Sequence, residues 1–138
     1  MIKFLEFKQS DVNDGELFVD GLNHFLDANV AETDSILSVK YKRYIENNNP
    51  ASSVFIVINT DSRDANKIGK TKRLYFFELN EHDYIEGMTD GRDFSDILND
   101  DFGSILQPED DILAIEYDKY FYQGKSYSSV LLLMNVLL

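Results

Sequence analysis

The chain has 138 residues, of which 25 are Asp or Glu and 13 are Lys or Arg, giving a formal net charge of −12. That length suits one compact domain, and 43% hydrophobic with 13% aromatic residues suffices for a core, so wholesale disorder is excluded. The acidity argues against an ordinary nucleic-acid-binding role, which needs a basic face for phosphates, and the absence of cysteine excludes disulfides, thiolate metal sites and a cysteine nucleophile.

The first element is IKFLEFK at 2–8, a short aromatic strand with a central Glu6. It lacks the basic and apolar regions of a signal peptide. A polar stretch ending in Gly15 follows. Phe18, Leu22, Phe25 and Leu26 then fall at i, i+4, i+7 and i+8, which is one helical face. Asp14 would cap that helix, with Glu16 in its first turn. His24 lies off the apolar stripe, where Asp20 or Asp27 would be its carboxylate neighbour.

Residues 36–59 read as two strands joined by the turn ENNNP at 46–50. Residues 61–72, DSRDANKIGKTK, form a basic connector. Within it Gly69-Lys70-Thr71 is reminiscent of a P-loop, but the earlier glycine of that motif would fall at Asp64, and a strand follows where a helix is required. That strand, LYFFELN at 74–80, again carries a central glutamate, Glu78. Phe94, Ile97, Leu98 and Phe102 predict a second helix, capped by Asp90 or Asp93.

A last pair of strands turns at YQGKS, 122–126. Its closing run, Leu131–Met134 with Val136–Leu138, lacks polar alternation and so asks for burial on both faces. A central strand under helices would provide that, as would a dimer interface. No apolar run approaches the ~20 residues that span a bilayer, so a soluble, cytoplasmic protein is expected, without a membrane partner.

The two halves resemble each other. Residues 36–59 and 112–135 align without a gap at an offset of 76, and eight of the 24 positions are identical, including Tyr41/Tyr117, Tyr44/Tyr120 and Ser52-Ser53-Val54 with Ser128-Ser129-Val130. This predicts a duplicated strand-helix-strand-strand unit. Repeat 1 would cover 1–60 and repeat 2 would cover 73–138, joined by the connector at 61–72. A unit of this size buries too little surface by itself. The expected fold is therefore one α+β domain, with about six mostly antiparallel strands and two main helices sharing one core. An approximate twofold axis would relate the units. The tyrosine pairs Tyr41/Tyr44 and Tyr117/Tyr120 serve either as cross-strand packing or as two symmetric ligand pockets or contact surfaces.

Charge is distributed unevenly. Residues 1–60 carry 5 basic and 9 acidic residues, 61–72 carry 4 and 2, and 73–138 carry 4 and 14. Within 81–111 there are 11 acids and one base, Arg92. Asp93, Asp96 and Asp100 recur at helical spacing, and with Glu86, Asp90 and Asp101 they form the candidate partner-binding set. Spaced carboxylates can solubilise a face, or can imitate a phosphate row and dock on a basic surface. Other chemistry is poorly supplied. His82, Asp83 and Glu86 lack a second histidine and an established metal-ligand spacing, no EF-hand register exists, and no G-x-S-x-G elbow occurs. No cofactor, catalytic residue or metal site is expected.

The first half resembles a family of small sporulation proteins of Gram-positive bacteria, each about as long as residues 1–60. The similarity lies in Phe4-Leu5-Glu6-Phe7, Leu22-Asn23-His24-Phe25-Leu26, Ile36-Leu37-Ser38-Val39-Lys40-Tyr41 and Ser52-Ser53-Val54-Phe55-Ile56-Val57. The resemblance implies no enzymatic activity. Duplication and the acidic stretch depart from the family pattern. In size and composition the chain also resembles small acidic phage-encoded inhibitors of host defence nucleases. The expectation is a non-enzymatic interaction protein, monomeric or homodimeric, whose acidic stretch engages a basic surface of a nuclease or other nucleic-acid-binding protein. A small-ligand (nucleotide-like) binder using the tyrosine hairpins, or a sporulation-associated structural protein, is the alternative.

Overall fold

The computed structural model describes residues 1–60, 72–85, 93–105 and 111–137. The described elements are β1 (Ile2–Lys8), a 3₁₀ turn (Gln9–Asp11), α1 (Phe18–Asn29), β2 (Ser35–Glu46), β3 (Asn49–Asn59), β4 (Lys72–Asn80), α2 (Glu81–Ile85), α3 (Phe94–Ile105), β5 (Asp111–Tyr122) and β6 (Lys125–Leu137). Two antiparallel three-stranded sheets form, in the orders β1-β3-β2 and β4-β6-β5. The fold is α+β and mostly strand. No helix among the described residues is long and apolar enough to cross a membrane.

The two halves match element by element. Adding 76 to the bounds of α1 gives those of α3, and adding it to β2 gives β5. The β2–β3 register becomes the β5–β6 register by the same shift, and the irregularity at Ile36/Ser38 recurs at Ile112/Ala114. For the first strands the shift is 72, since Phe4 pairs with Val57 and Phe76 with Leu133. The second half therefore has four more residues between its first strand and its long helix, in the region where α2 forms.

Local chemistry explains both hairpins. Each has a two-residue loop, Asn47-Asn48 (φ 51° and 63°) and Gln123-Gly124 (φ 51° and 78°). Two positive φ values make a type I′ turn, whose twist matches that of the strands it joins. At the start of α1 the expectation needs correction. Asp14 is not the cap: the helix begins at Phe18, Leu17 holds the N-cap position without a side-chain bond, and Glu16 precedes the helix. Gly15, at φ 81°, turns the chain first. Asp93 does precede α3 directly, and its carbonyl accepts from the N–H groups of Asp96 and Ile97.

Each long helix covers the corresponding face of its own sheet. Phe18 and Phe25 of α1 pack on Phe7, with ring centroids 5.4 and 5.2 Å apart. Gly21 permits that approach, since a Cβ there would lie 3.0 Å from Phe7 and 2.8 Å from Glu16. On the second sheet Phe94 and Leu98 of α3 pack with Leu79, Val130, Leu132 and Met134. The main core joins the halves: Leu5, Phe7, Val54 and Ile56 share one buried cluster with Leu74, Phe76, Leu131 and Leu133.

The equivalent edge strands β2 and β5 lie side by side, with Lys40 Nζ 4.0 Å from Glu116 Oε1, as the expected twofold axis requires, but the buried cluster departs from that axis. A twofold interface brings equivalent surfaces together. Here the α1-covered face of the first sheet meets the face of the second sheet that points away from α3. The equivalent of that second face, Ile2, Phe4 and Phe55, is exposed on the first sheet. Strand β6 is thus buried on both faces from Tyr127 to Asn135, between the first half and α3. It is the central strand of its sheet, so the apolar run is explained without a dimer.

Candidate functional site

Helix α3 carries the acidic candidates. Ile97 is buried and Phe94 and Leu98 are half-buried against the sheet, so 3.6-residue periodicity leaves Asp93, Ser95, Asp96, Asn99 and Asp100 exposed. Asp96 and Asp100, at i and i+4, are neighbours on the helix. Glu86 and Asp90 lie outside the described residues, as does the side chain of Asp101. Two further acids of the stretch have local tasks. Glu81 Oε1 accepts the Ser128 N–H at 2.9 Å, and Asp83 Oδ2 accepts from Asn80 Nδ2 at 3.4 Å.

The tyrosines do not build equivalent pockets. Tyr41 is buried and donates its hydroxyl to Glu78 Oε2 at 2.6 Å, whereas Tyr117 is exposed, with its hydroxyl 2.8 Å from Ser128 Oγ. Tyr44 is partly buried, with its hydroxyl 3.4 Å from the Ser52 carbonyl. Tyr120 is buried under the Arg43 guanidinium, 4.6 Å from the ring centroid, and packs on Tyr127. Because the two sheets meet through unlike faces, matching tyrosines enter unlike surroundings.

Around them lies a polar network at the junction of the sheets. Ser52 Oγ donates to Glu78 Oε2 (2.8 Å) and accepts from Arg43 Nη1 (2.5 Å). The Arg43 N–H donates to Asp118 Oδ2 (2.7 Å), and Ser129 Oγ donates to Asn80 Oδ1 (2.7 Å). Burial, followed by the nearby Glu78 charge, pushes the Tyr41 phenol far above its ordinary range. Burial also raises Tyr120, against the lowering effect of Arg43. These groups are packed on one another, so they position the sheets. Spacing alone did not single out Arg43 or Asn80; the available signs were the central Glu78 and Ser-Ser-Val recurring inside otherwise apolar strands.

The histidines also find partners. His24 Nδ1 lies 3.0 Å from Glu16 Oε2, and the expected neighbours Asp20 and Asp27 are not the ones it meets. His82 stands edge-on to Tyr122 and Tyr127. Among the described residues, no three His, Asp or Glu side chains are arranged to hold a metal ion. An open cleft of about 570 Å³ runs between α1 and β4, lined by Glu16, Asp20, His24, Asp27, Leu74 and Tyr75. Gly69–Thr71 lie outside the described residues.

Comparison of the chain with protein-family models, curated proteins and solved structures finds no match.

Proposed function

We propose that the chain is a non-enzymatic interaction protein whose acidic α3 side docks on a basic protein surface, as an inhibitor or adaptor. One observation carries the reading: α3 is anchored by Phe94, Ile97 and Leu98 while Asp93, Asp96 and Asp100 stand exposed. An exposed carboxylate row attracts a cationic partner over several ångströms and speeds encounter in a salt-dependent way. A nucleic-acid-binding surface is a partner of that chemistry. The matching bounds and registers of the two halves further support a duplicated unit, with the contact surface developed on the second copy.

The ligand-binding alternative has less support, because Tyr41 is hydrogen-bonded to Glu78 and the Tyr120 ring is packed between Arg43 and Tyr127. The test is quantitative binding to a cationic protein, first a basic nuclease, over a salt series. Replacing Asp93, Asp96, Asp100 and Asp101 by Asn should weaken binding and flatten its salt dependence. Unchanged affinity and unchanged salt slope would sink the reading.

A further inference from the structure

Directly opposed residues of an antiparallel pair point to the same face of a sheet, so the register shows what each face carries. On the first sheet, the face turned away from α1 holds Phe4, Val57 and Ser38 in one row. The next row is Glu6, Phe55 and Lys40, and the third is Lys8, Ser53 and Lys42. Strand β5 lies beside β2 and continues this outer face with Tyr117 and Lys119. Phe4 is 64% exposed, Phe55 39% and Tyr117 54%.

The charge of this face is the reverse of the chain's. Lys8, Lys40, Lys42 and Lys119 point outward against Glu6 and Glu46, in a chain with 25 acidic and 13 basic residues. Lys8 Nζ lies 3.3 Å from Glu6 Oε1, and Lys40 Nζ lies 4.0 Å from Glu116 Oε1. Both lysines are exposed, and ion pairs of that kind contribute little, so each ammonium is free to exchange its partner. The acids of α1 lie behind this sheet, and those of α3 stand over β4 and β6. Charges beyond a Debye length of ~8 Å are largely screened at physiological salt. Overall acidity therefore argues against phosphate binding only where charge is spread evenly, and here the fold gathers lysines on one side.

We infer that this outer face binds single-stranded nucleic acid, with bases on Phe4 and Phe55 and the sugar-phosphate backbone along Lys40, Lys42 and Lys119. The two rings stand on neighbouring strands with centroids 6.0 Å apart. They offer exposed π-faces to successive bases, and the lysines on one flank offer cations to the phosphates, which are the two needs of an unpaired strand. Glu6, in the row of Phe55, is an acceptor for the amino group of a stacked cytosine. A duplex hides its base faces, and a surface four strands wide does not enter a groove. The site is separate from the acidic side of α3, so an adaptor could engage both partners at once.

Fluorescence anisotropy of a labelled oligocytidylate of about ten nucleotides, titrated with the full chain, tests this. Binding should weaken with salt, and unlabelled single strands should compete while duplex does not. Phe4→Ala and Phe55→Ala should each weaken binding about tenfold with unchanged circular dichroism, and Phe4→Tyr should retain it. Lys40→Gln and Lys42→Gln should each lower the salt slope by roughly 0.7. No binding at low salt overturns the inference, as does binding indifferent to both alanine variants or equal for duplex. Sedimentation with anionic vesicles in place of oligonucleotide binding also overturns it and assigns the face to a membrane surface. The acidic docking face is judged separately: its binding to a basic protein should depend on the Asp→Asn set and not on Phe4→Ala.

Discussion

The side chain of Asn23 on α1 forms a two-bond pair with the backbone of Phe76 on β4, accepting its N–H at 2.7 Å and donating to its carbonyl at 3.0 Å. An amide side chain thereby takes the place of a neighbouring strand at a sheet edge. Unpaired edges are templates for unwanted pairing, and covering one removes that hazard. The pair also ties the helix of one half to the sheet of the other.

Asn23→Ala leaves a buried N–H and a buried carbonyl without partners, at a cost of about 1–3 kcal/mol. Urea unfolding should show a lower midpoint with an unchanged slope. Asn99→Ala, at the exposed counterpart, should stay within about 0.5 kcal/mol of wild type.

Tyr41→Phe removes the hydroxyl that donates to Glu78, and hydrogen bonds to charged groups contribute about 1.5–3 kcal/mol. It should also change the alkaline limb of the stability curve. The Tyr41 phenol is raised in the folded protein, so the folded state keeps a proton that the unfolded chain begins to lose near pH ~10. Stability from this group is full below that pH and falls as pH rises above it. Thermal melts from pH 8 to 11 should show the decline in wild type and a shallower one in Tyr41→Phe.

Arg43→Lys keeps the charge but loses the planar stack on Tyr120 and the geometry of the bond to Ser52. A loss of about 1–2 kcal/mol is expected from the buried cation–π contact. Denaturant melts measure it. A double-mutant cycle with Tyr120→Leu should recover most of that loss as coupling between the two side chains.

The hairpin turns invite opposite substitutions. Gln123 sits at φ 51°, where Asn is better tolerated, so Gln123→Asn should raise the melting temperature. Gly124→Ala at φ 78° meets no neighbouring atom yet places a Cβ in the left-handed region, costing about 1–2 kcal/mol.

The candidate site was legible where it depended on local pattern. Phe94, Ile97 and Leu98 marked the buried side of α3, so exposure of Asp93, Asp96 and Asp100 followed from the same periodicity. The polar network was not legible. Glu6 and Glu78 occupy matching positions in matching strands, yet one is exposed beside Lys8 and the other accepts from Tyr41 and Ser52. Asn23 and Asn99 likewise occupy matching helix positions and differ only in what lies opposite.

From the sequence alone came the α+β class, the order of the strands and the two long helices, both hairpin turns and the likeness of the two halves, because periodicity and turn chemistry are properties of neighbouring residues. The tertiary structure decided which faces meet. Ile2, Phe4 and Phe55 have the same apolar character as Leu74, Phe76 and Leu131, and no local signal distinguishes the exposed set from the buried one. The difference comes from packing the helix-covered face of one sheet against the helix-free face of the other.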